Sequence, residues 1–427
     1  MNIYLDTIGC RLNQSEIEKI ASQFRKSGHQ IVSEPAEADL VVVNTCAVTA
    51  AAASDSRQKI RQAQKAGAGT IVATGCWATL EPENAASLPG VSHVIANNHK
   101  DRLVSQILGL PESIFDLEPI LRERIPGAHQ RTRAFIKVQD GCDNFCSFCV
   151  TRLARGASHS VPLEDILRDI QAALNAGTKE IVLSGVHLGA WGRDFKENKG
   201  LAYLINTILK ELPVIRLRLS SLEPWDLDEE FFSLWHDERL CRHLHLPLQS
   251  GSAATLRRMV RKTTPDSFAN LVEMIRRNIP DIAITTDIII GFPGETGDEF
   301  NESLSFVEQM KFAGGHVFNY SARPQTAAAK LTQITSNAER KNRSLEMRSV
   351  LLKSGSEYQQ RFLNKTLSVL WEGNWVKDGD RYRMEGLTDN YLKVRAMANA
   401  NLWNELSQVR IEKAENEYLS GSIVESP

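Results

Sequence analysis

Short apolar runs rich in β-branched residues alternate with longer amphipathic stretches along most of the chain. Residues 3–8, 40–43 and 70–73 are such runs and predict buried strands. Between the first two, Ile17, Ile20, Ala21 and Phe24 share one face of a helix over 15–26, with Gly28 as its stop. A second helix over 51–65 ends at Gly67. Strand and helix alternating in this way predict an open α/β unit with a parallel sheet over residues 1–115.

From Arg133 to Pro324 the same alternation continues with longer periods. Strands are predicted at 134–138, 180–183, 214–219, 243–248, 282–290 and 315–320. One intervening helix is opened by Pro162 and closed by Gly177, the punctuation expected at the two ends of a helix. Six strand–helix units imply a partial (β/α)6 barrel over 128–358, with its active face at the carboxyl ends of the strands. A long helix over 337–362 leads into short, often alternating runs at 367–371, 382–385, 391–395, 408–412 and 418–424. These predict a small closed β domain over 362–427. The fold class is therefore α/β, with a small β-barrel appended.

Composition narrows the setting. At 427 residues, 42% of them hydrophobic and 24% charged, the chain reads as a multidomain globular protein. Apolar runs such as 40–43 and 288–290 are far too short to cross a bilayer, and the first residues lack the basic and apolar regions of a signal peptide. Seven cysteines suit a reducing compartment, so the expected location is cytoplasmic, with no membrane partner. The net charge of -2 gives no overall sign of a nucleic-acid partner. Locally, residues 121–160 hold seven Arg or Lys against three acids, and Arg257, Arg258, Arg261 and Lys262 form a second basic cluster. From Arg361 onward nine basic residues meet ten acidic ones. Solvated faces and phosphate binding are equally good readings of the basic clusters.

The sharpest chemistry lies in Gly141-Cys142-Asp143-Asn144-Phe145-Cys146-Ser147-Phe148-Cys149. Thiolates hold 4Fe-4S clusters, usually four to a cluster. A run of three leaves one iron open, as open catalytic zinc sites leave a position for substrate. Three structural cysteines on one helix face have the same spacing, but Gly141, Asp143 and Asn144 favour turns. A structural zinc site wants four ligands, and the run supplies three. Cys10, Cys46 and Cys76 each follow one of the first three predicted strands, at the edge where open parallel sheets bind ligands. They make a second three-ligand site, against the alternative of buried cysteines acting as small hydrophobes. Cys241 reads as a plain buried thiol.

The whole chain resembles the radical S-adenosylmethionine (SAM) methylthiotransferases, which join an N-terminal three-cysteine domain, a radical SAM partial barrel and a C-terminal TRAM domain. The two cysteine sets carry the resemblance. Leu183-Ser184-Gly185-Val186, Leu219-Ser220-Ser221-Leu222-Glu223-Pro224, His245-Leu246-Pro247-Leu248-Gln249-Ser250-Gly251 and Gly291-Phe292-Pro293-Gly294-Glu295 support it. The resemblance implies two 4Fe-4S clusters, one on Cys142, Cys146 and Cys149 whose open iron chelates SAM, the other on Cys10, Cys46 and Cys76. Phe148 would lie near the adenine and Gly185 near the methionine amino group. Ser221, Glu223 and Gln249 would line the ribose and methionine side, and Ile289 and Gly291 would flank the adenine. Reductive cleavage of SAM would give a 5'-deoxyadenosyl radical that takes hydrogen from carbon 2 of an adenosine. The second cluster would deliver a methylated sulfur. The resemblance implies no dominant acid–base pair, and an electron donor such as flavodoxin or ferredoxin.

Gly9-Cys10-Arg11-Leu12-Asn13-Gln14-Ser15-Glu16 and Ser184-Gly185-Val186-His187-Leu188-Gly189 are most similar to the branch acting on threonylcarbamoyladenosine beside the tRNA anticodon. The expected partner is accordingly the tRNA anticodon loop, whose unpaired bases can be splayed into a pocket. The isopentenyladenosine and ribosomal-protein branches carry other residues after the first cysteine. They remain alternatives, as does a non-enzymatic metal and RNA-binding module. The chain departs from the family pattern after Cys149, where Val150-Thr151-Arg152-Leu153-Ala154-Arg155-Gly156 lacks the usual proline, and at Gln325, where glycine is usual.

Overall fold

The computed structural model describes residues 1–115, 132–197 and 199–424. Arg122, Arg124 and Arg131 of the first basic cluster, with the expected start of the second domain, lie outside the described residues. No described helix is long and apolar enough to cross a membrane.

The first 115 residues form a five-stranded, wholly parallel sheet in the order β2-β1-β3-β4-β5. Its strands are β1 (Asn2–Thr7), β2 (Gln30–Ile31), β3 (Leu40–Thr45), β4 (Thr70–Gly75) and β5 (Val91–Ile95). Every residue of β3, Leu-Val-Val-Val-Asn-Thr, is buried, as a central strand covered on both faces must be. The two edge strands escape the sequence reading. Two residues are too few to show a period, and Val91-Ser92-His93-Val94-Ile95 carries polar residues on an edge. The helix expected from Ser15 begins at Arg11, directly after Cys10. Its first turn, Arg11 to Gln14, reads as solvated in sequence, but Asn13 is buried against Arg155 of the neighbouring domain. The helix Ala50–Lys65 is capped by Thr49, whose hydroxyl accepts from the Ala52 N–H at 3.0 Å.

The second unit carries β6 (Arg133–Lys137), the short antiparallel strands β7 (Gln139–Asp140) and β8 (His159–Ser160), β9 (Glu180–Ser184), β10 (Arg216–Leu219), β11 (His243–His245), β12 (Ala283–Ile290) and β13 (Gly314–Asn319). Six of them form two parallel three-stranded sheets, β10-β9-β6 and β11-β12-β13. Parallel bridges Leu217 to Leu240 and Ser221 to His245 join the two into one curved wall. This is the expected partial barrel, with Ile136, Ile181, Leu183, Leu217, Leu244, Ile284 and Ile288 in a common core.

After the helix Asn337–Gln360, five strands close into a barrel in the order β14-β15-β16-β18-β17: β14 (Thr366–Asp378), β15 (Arg381–Thr388), β16 (Lys393–Ala398), β17 (Leu406–Ala414) and β18 (Leu419–Val424). Trp371, Val369, Met384, Val394, Val409 and Ile411 fill it. β14 runs seven residues past Trp371 because a bulge between Trp371 and Trp375 bends an exposed extension. Tyr391, expected in a strand, instead takes a left-handed turn with φ 65° ahead of β16.

That turn docks the small barrel onto the wall. Arg218 pairs with Glu180 at 2.7 Å, both fully buried, and donates to the carbonyls of Asp389 and Thr388. Arg216 donates to those of Leu387 and Ser368. Tyr391 stacks on His243 with ring centroids 4.1 Å apart and receives a hydrogen bond from Arg11 at 3.0 Å, so all three units meet at one phenol.

Candidate metal and cofactor site

Cys10 lies three residues past β1, and Cys46 and Cys76 directly follow β3 and β4. Since these are adjacent parallel strands, the three residues come together at the carboxyl edge of the sheet. Cys46 and Cys76 are buried and Cys10 is exposed at the rim. Burial pushes the Cys46 thiol up to about 11, and the neighbouring Cys10 and Cys76 add to the rise. Metal binding would displace the proton that burial holds on Cys46. Asn97 Nδ2 donates to Cys76 Sγ at 3.5 Å, and Cys10 Sγ stands 3.7 Å from Asn13 Oδ1.

The second trio follows β6 and β7, in a loop with no helix, as its turn-forming residues require. Polar donors surround its sulfurs. The Asn144 N–H is 3.4 Å from Cys142 Sγ, and the Thr151 N–H lies 3.4 Å from Cys149 Sγ. Arg261 Nη1 lies 3.7 Å from Cys146 Sγ. Burial raises the Cys146 thiol against the pull of Arg261. Three thiols with N–H donors around them fit a cube bound through three sulfurs. Among the described residues no three His, Cys, Asp or Glu side chains are spaced to hold a single metal ion. A four-iron cube spreads its ligands wider than one ion does.

The other expected residues sit along the same carboxyl edge. Gly185 follows β9, Ser221 and Glu223 follow β10, Gln249 follows β11, and Ile289 and Gly291 mark the end of β12. A methyl group at Gly185 would stand 3.0 Å from Gln139 Oε1 and 3.1 Å from Leu188 Cα. A side chain there would be crowded by these neighbours whatever else it touches. Gln249 holds a left-handed φ of 74°, unusual for glutamine, while its backbone bridges to β12. Phe148 meets Phe292 edge to face at 6.3 Å, beside Ile289 and Tyr320. Ser221 is exposed. Glu223 is gripped by Arg261 at 2.6 Å and 3.2 Å. Nearby on these strands and the segments after them, Ser220 Oγ, Asp287 Oδ1 and Tyr320 OH are buried without a hydrogen-bond partner, as the lining of a site for a polar ligand would be.

Sequence reading missed two features. Arg261, taken only as part of a basic cluster, ties Glu223 to Cys146 and the Pro247 carbonyl. His187 and Asp226 form a buried pair at 2.6 Å, with Arg193 2.7 Å from the other carboxylate oxygen. Burial opposes a charged ring, but the bond to Asp226, aided by the Cys142 sulfur, pushes His187 up to about 9. Both pairings join residues far apart in sequence, so no spacing announces them. A cavity lined by Ile282, Ala313, Tyr358 and Arg361 lies at the opposite, amino end of β12, away from every cysteine site.

Two sequence families match the chain. "Uncharacterized protein family UPF0004" covers residues 2–96 and "Radical SAM superfamily" covers 136–307. The threonylcarbamoyladenosine tRNA methylthiotransferase MtaB of Bacillus subtilis is 34% identical over 98% of this chain and 95% of its own length. Its namesake from Thermotoga maritima is 35% identical over 97% and 95%. A tRNA-2-methylthio-N(6)-dimethylallyladenosine synthase of Acetivibrio thermocellus is 33% identical over 98% and 90%. Among solved structures, the radical S-adenosylmethionine methyltransferase TsrM of Kitasatospora setae superposes with a TM-score of 0.56. It is 14% identical, with 77% of each chain covered, so that likeness speaks for the fold alone.

Proposed function

The chain belongs to the radical SAM methylthiotransferases, and on that premise we propose that it adds a methylthio group to carbon 2 of threonylcarbamoyladenosine at position 37 of tRNA. The observation that carries this reading is the pair of three-cysteine sites, each at the carboxyl edge of parallel strands in adjoining units of one chain. The named relatives that match over nearly the full length supply the substrate.

In this reading Cys142, Cys146 and Cys149 hold the 4Fe-4S cluster that binds SAM, and Cys10, Cys46 and Cys76 hold a second one. Together the clusters and SAM supply the radical chemistry that an aromatic C–H demands, which no side chain can. The chain's own work is placement. Phe148 and Ile289 pack against one apolar cluster with Phe292, a surface suited to an adenine, and Gly291 ends the strand beside it. Gly185, Ser221, Glu223 and Gln249 offer the polar side of the same edge. Arg261 neutralises Glu223 and stays close to Cys146, so the carboxylate can accept a ribose hydroxyl without adding an unpaired buried charge. We assign residues 1–115 to the auxiliary-cluster domain, 128–358 to the radical SAM core and 362–427 to a TRAM-like barrel. The partner would be the anticodon loop in the cytoplasm, with flavodoxin or ferredoxin as the electron donor.

Mass spectrometry of tRNA nucleosides tests this in a strain lacking the protein and in the same strain carrying it on a plasmid. The methylthiolated threonylcarbamoyl nucleoside should be absent from the first and restored in the second. Restoration of the isopentenyl counterpart instead would assign the chain to the dimethylallyl type, one member of which is 33% identical to it. No change in either nucleoside would sink the tRNA reading.

A further inference from the structure

The N-terminal sheet and the partial barrel meet on a group of buried charges that the reading above leaves without a role. Asn13 and Glu16 of the helix Arg11–Lys26, Asn44 of β3, and Lys100 belong to the first unit. Lys137, Asp140 and Arg155 belong to the second. The Arg155 side chain is 2% exposed. Its Nη1 lies 2.9 Å from both Glu16 Oε1 and Asp140 Oδ1, and its Nη2 donates to Asn13 Oδ1 at 2.7 Å. Lys100 Nζ is 2.7 Å from Glu16 Oε2. Lys137 Nζ reaches Asp140 at 3.6 Å and, at the solvent rim, Asp101 at 3.7 Å.

Asn13 passes this grip on to the cysteines. Its Nδ2 donates to the carbonyls of Ile8 at 2.7 Å and Thr45 at 3.1 Å, the latter being the peptide that leads into Cys46. Its Oδ1 is 3.7 Å from Cys10 Sγ. Arg155 also ends the short helix Thr151–Arg155, whose first residue donates its N–H to Cys149. Asn97 links the same helix, through the Ala154 carbonyl at 2.7 Å, to Cys76 Sγ at 3.5 Å. Five residues therefore connect the two cysteine sites.

Among the described residues Lys100, Lys137 and Arg155 supply three positive groups, which face Glu16 and Asp140 in the interior and Asp101 at the rim. A buried cation is costly unless negative groups lie close by. The sulfurs of Cys10 and Cys76 lie within electrostatic reach of Arg155. Three thiolates outweigh the double positive charge of an oxidised 4Fe-4S core, so a cluster on Cys10, Cys46 and Cys76 would be a further negative partner for Arg155.

We propose that Arg155 is a positioning residue that the radical SAM core extends into the neighbouring domain. It holds Asn13 so that Cys10 and Cys46 stay in register, and its charge raises the reduction potential of the cluster beside it. This rests on the reading that Cys10, Cys46 and Cys76 hold a cluster.

The test is a redox titration of the anaerobically reconstituted full chain, followed by electron paramagnetic resonance. Added SAM identifies the signal of the Cys142 set, and the other signal is read as the auxiliary cluster. Arg155→Gln removes the positive charge, Arg155→Lys keeps it, and Glu16→Gln removes a negative one. At a fixed reductant potential, the reduced auxiliary fraction should fall about tenfold in Arg155→Gln, stay within about threefold in Arg155→Lys and rise in Glu16→Gln. The SAM-responsive signal should hold its midpoint throughout. Loss of the auxiliary cluster from Arg155→Gln but not from Arg155→Lys also supports the proposal. Shifts of the same sign in Arg155→Gln and Glu16→Gln, no shift in either, or loss of the cluster from all three variants would overturn it. A parent chain that binds about four irons instead of about eight would fail the two-cluster reading itself, which is a separate result.

Discussion

A methyl group on Gly9 would stand 2.6 Å from the sulfur of Cys46, two strands' ends pressed together at the lip of the N-terminal sheet. Gly9 also takes φ +105°, a conformation that side chains rarely adopt. Gly9→Ala must therefore move Cys10 or Cys46. We expect iron to drop from about eight to about four per chain, with the cluster of the Cys142 set retained. Iron and sulfide analysis of the reconstituted variant checks this; full iron loading would contradict it.

His187 and Asp226 predict a specific pH dependence. The folded pKa of His187, about 9, lies above its unfolded value of roughly 6.5. The stability that this pair contributes is complete below the unfolded value and is lost as pH rises through the folded one. Unfolding free energies from urea titrations of the metal-free chain and of Asp226→Asn should differ most near pH 6, by of order 2 kcal/mol, and converge near pH 10. Parallel curves across that range would show that the pair does not titrate as the geometry implies.

Arg218 and Glu180 anchor the C-terminal barrel to the wall from a fully buried position. Truncation of one partner strands the other's charge. Arg218→Met should cost about 3–5 kcal/mol, and adding Glu180→Leu should recover much of it. Calorimetry of the single and double variants decides, and an additive loss would refute the coupling.

Cys241 supplies a control. Its thiol is buried at the amino end of β11, opposite the carboxyl edge, and burial pushes it up to about 12. Cys241→Ala should cost about 1 kcal/mol in stability and leave the iron count at about eight. A fall in iron would make Cys241 a ligand.

Local pattern carried the reading a long way for identifiable reasons. The spacing of Cys142, Cys146 and Cys149 is covalent, so their convergence needs no tertiary contact. Cys10, Cys46 and Cys76 were legible because apolar runs locate strands, and parallel strands bring their carboxyl ends to one edge. The helix start failed at Ser15 because a turn buried against another domain looks polar and solvated in sequence. The edge strands β2 and β5 failed because short or half-polar runs carry no clear period.

What the amino-acid order decided by itself is the central strands, most of the helices between them and the two groups of thiols, since these rest on spacing within one loop or on a repeated periodicity. Only the tertiary structure decided the pairings that surround those thiols: Arg155 with Asn13 and Glu16, Arg261 with Glu223, His187 with Asp226. Each joins side chains between 38 and 142 positions apart. An isolated arginine or aspartate in a sequence looks like any solvated surface charge. It becomes part of a site only when folding removes its water and brings distant counter-charges against it.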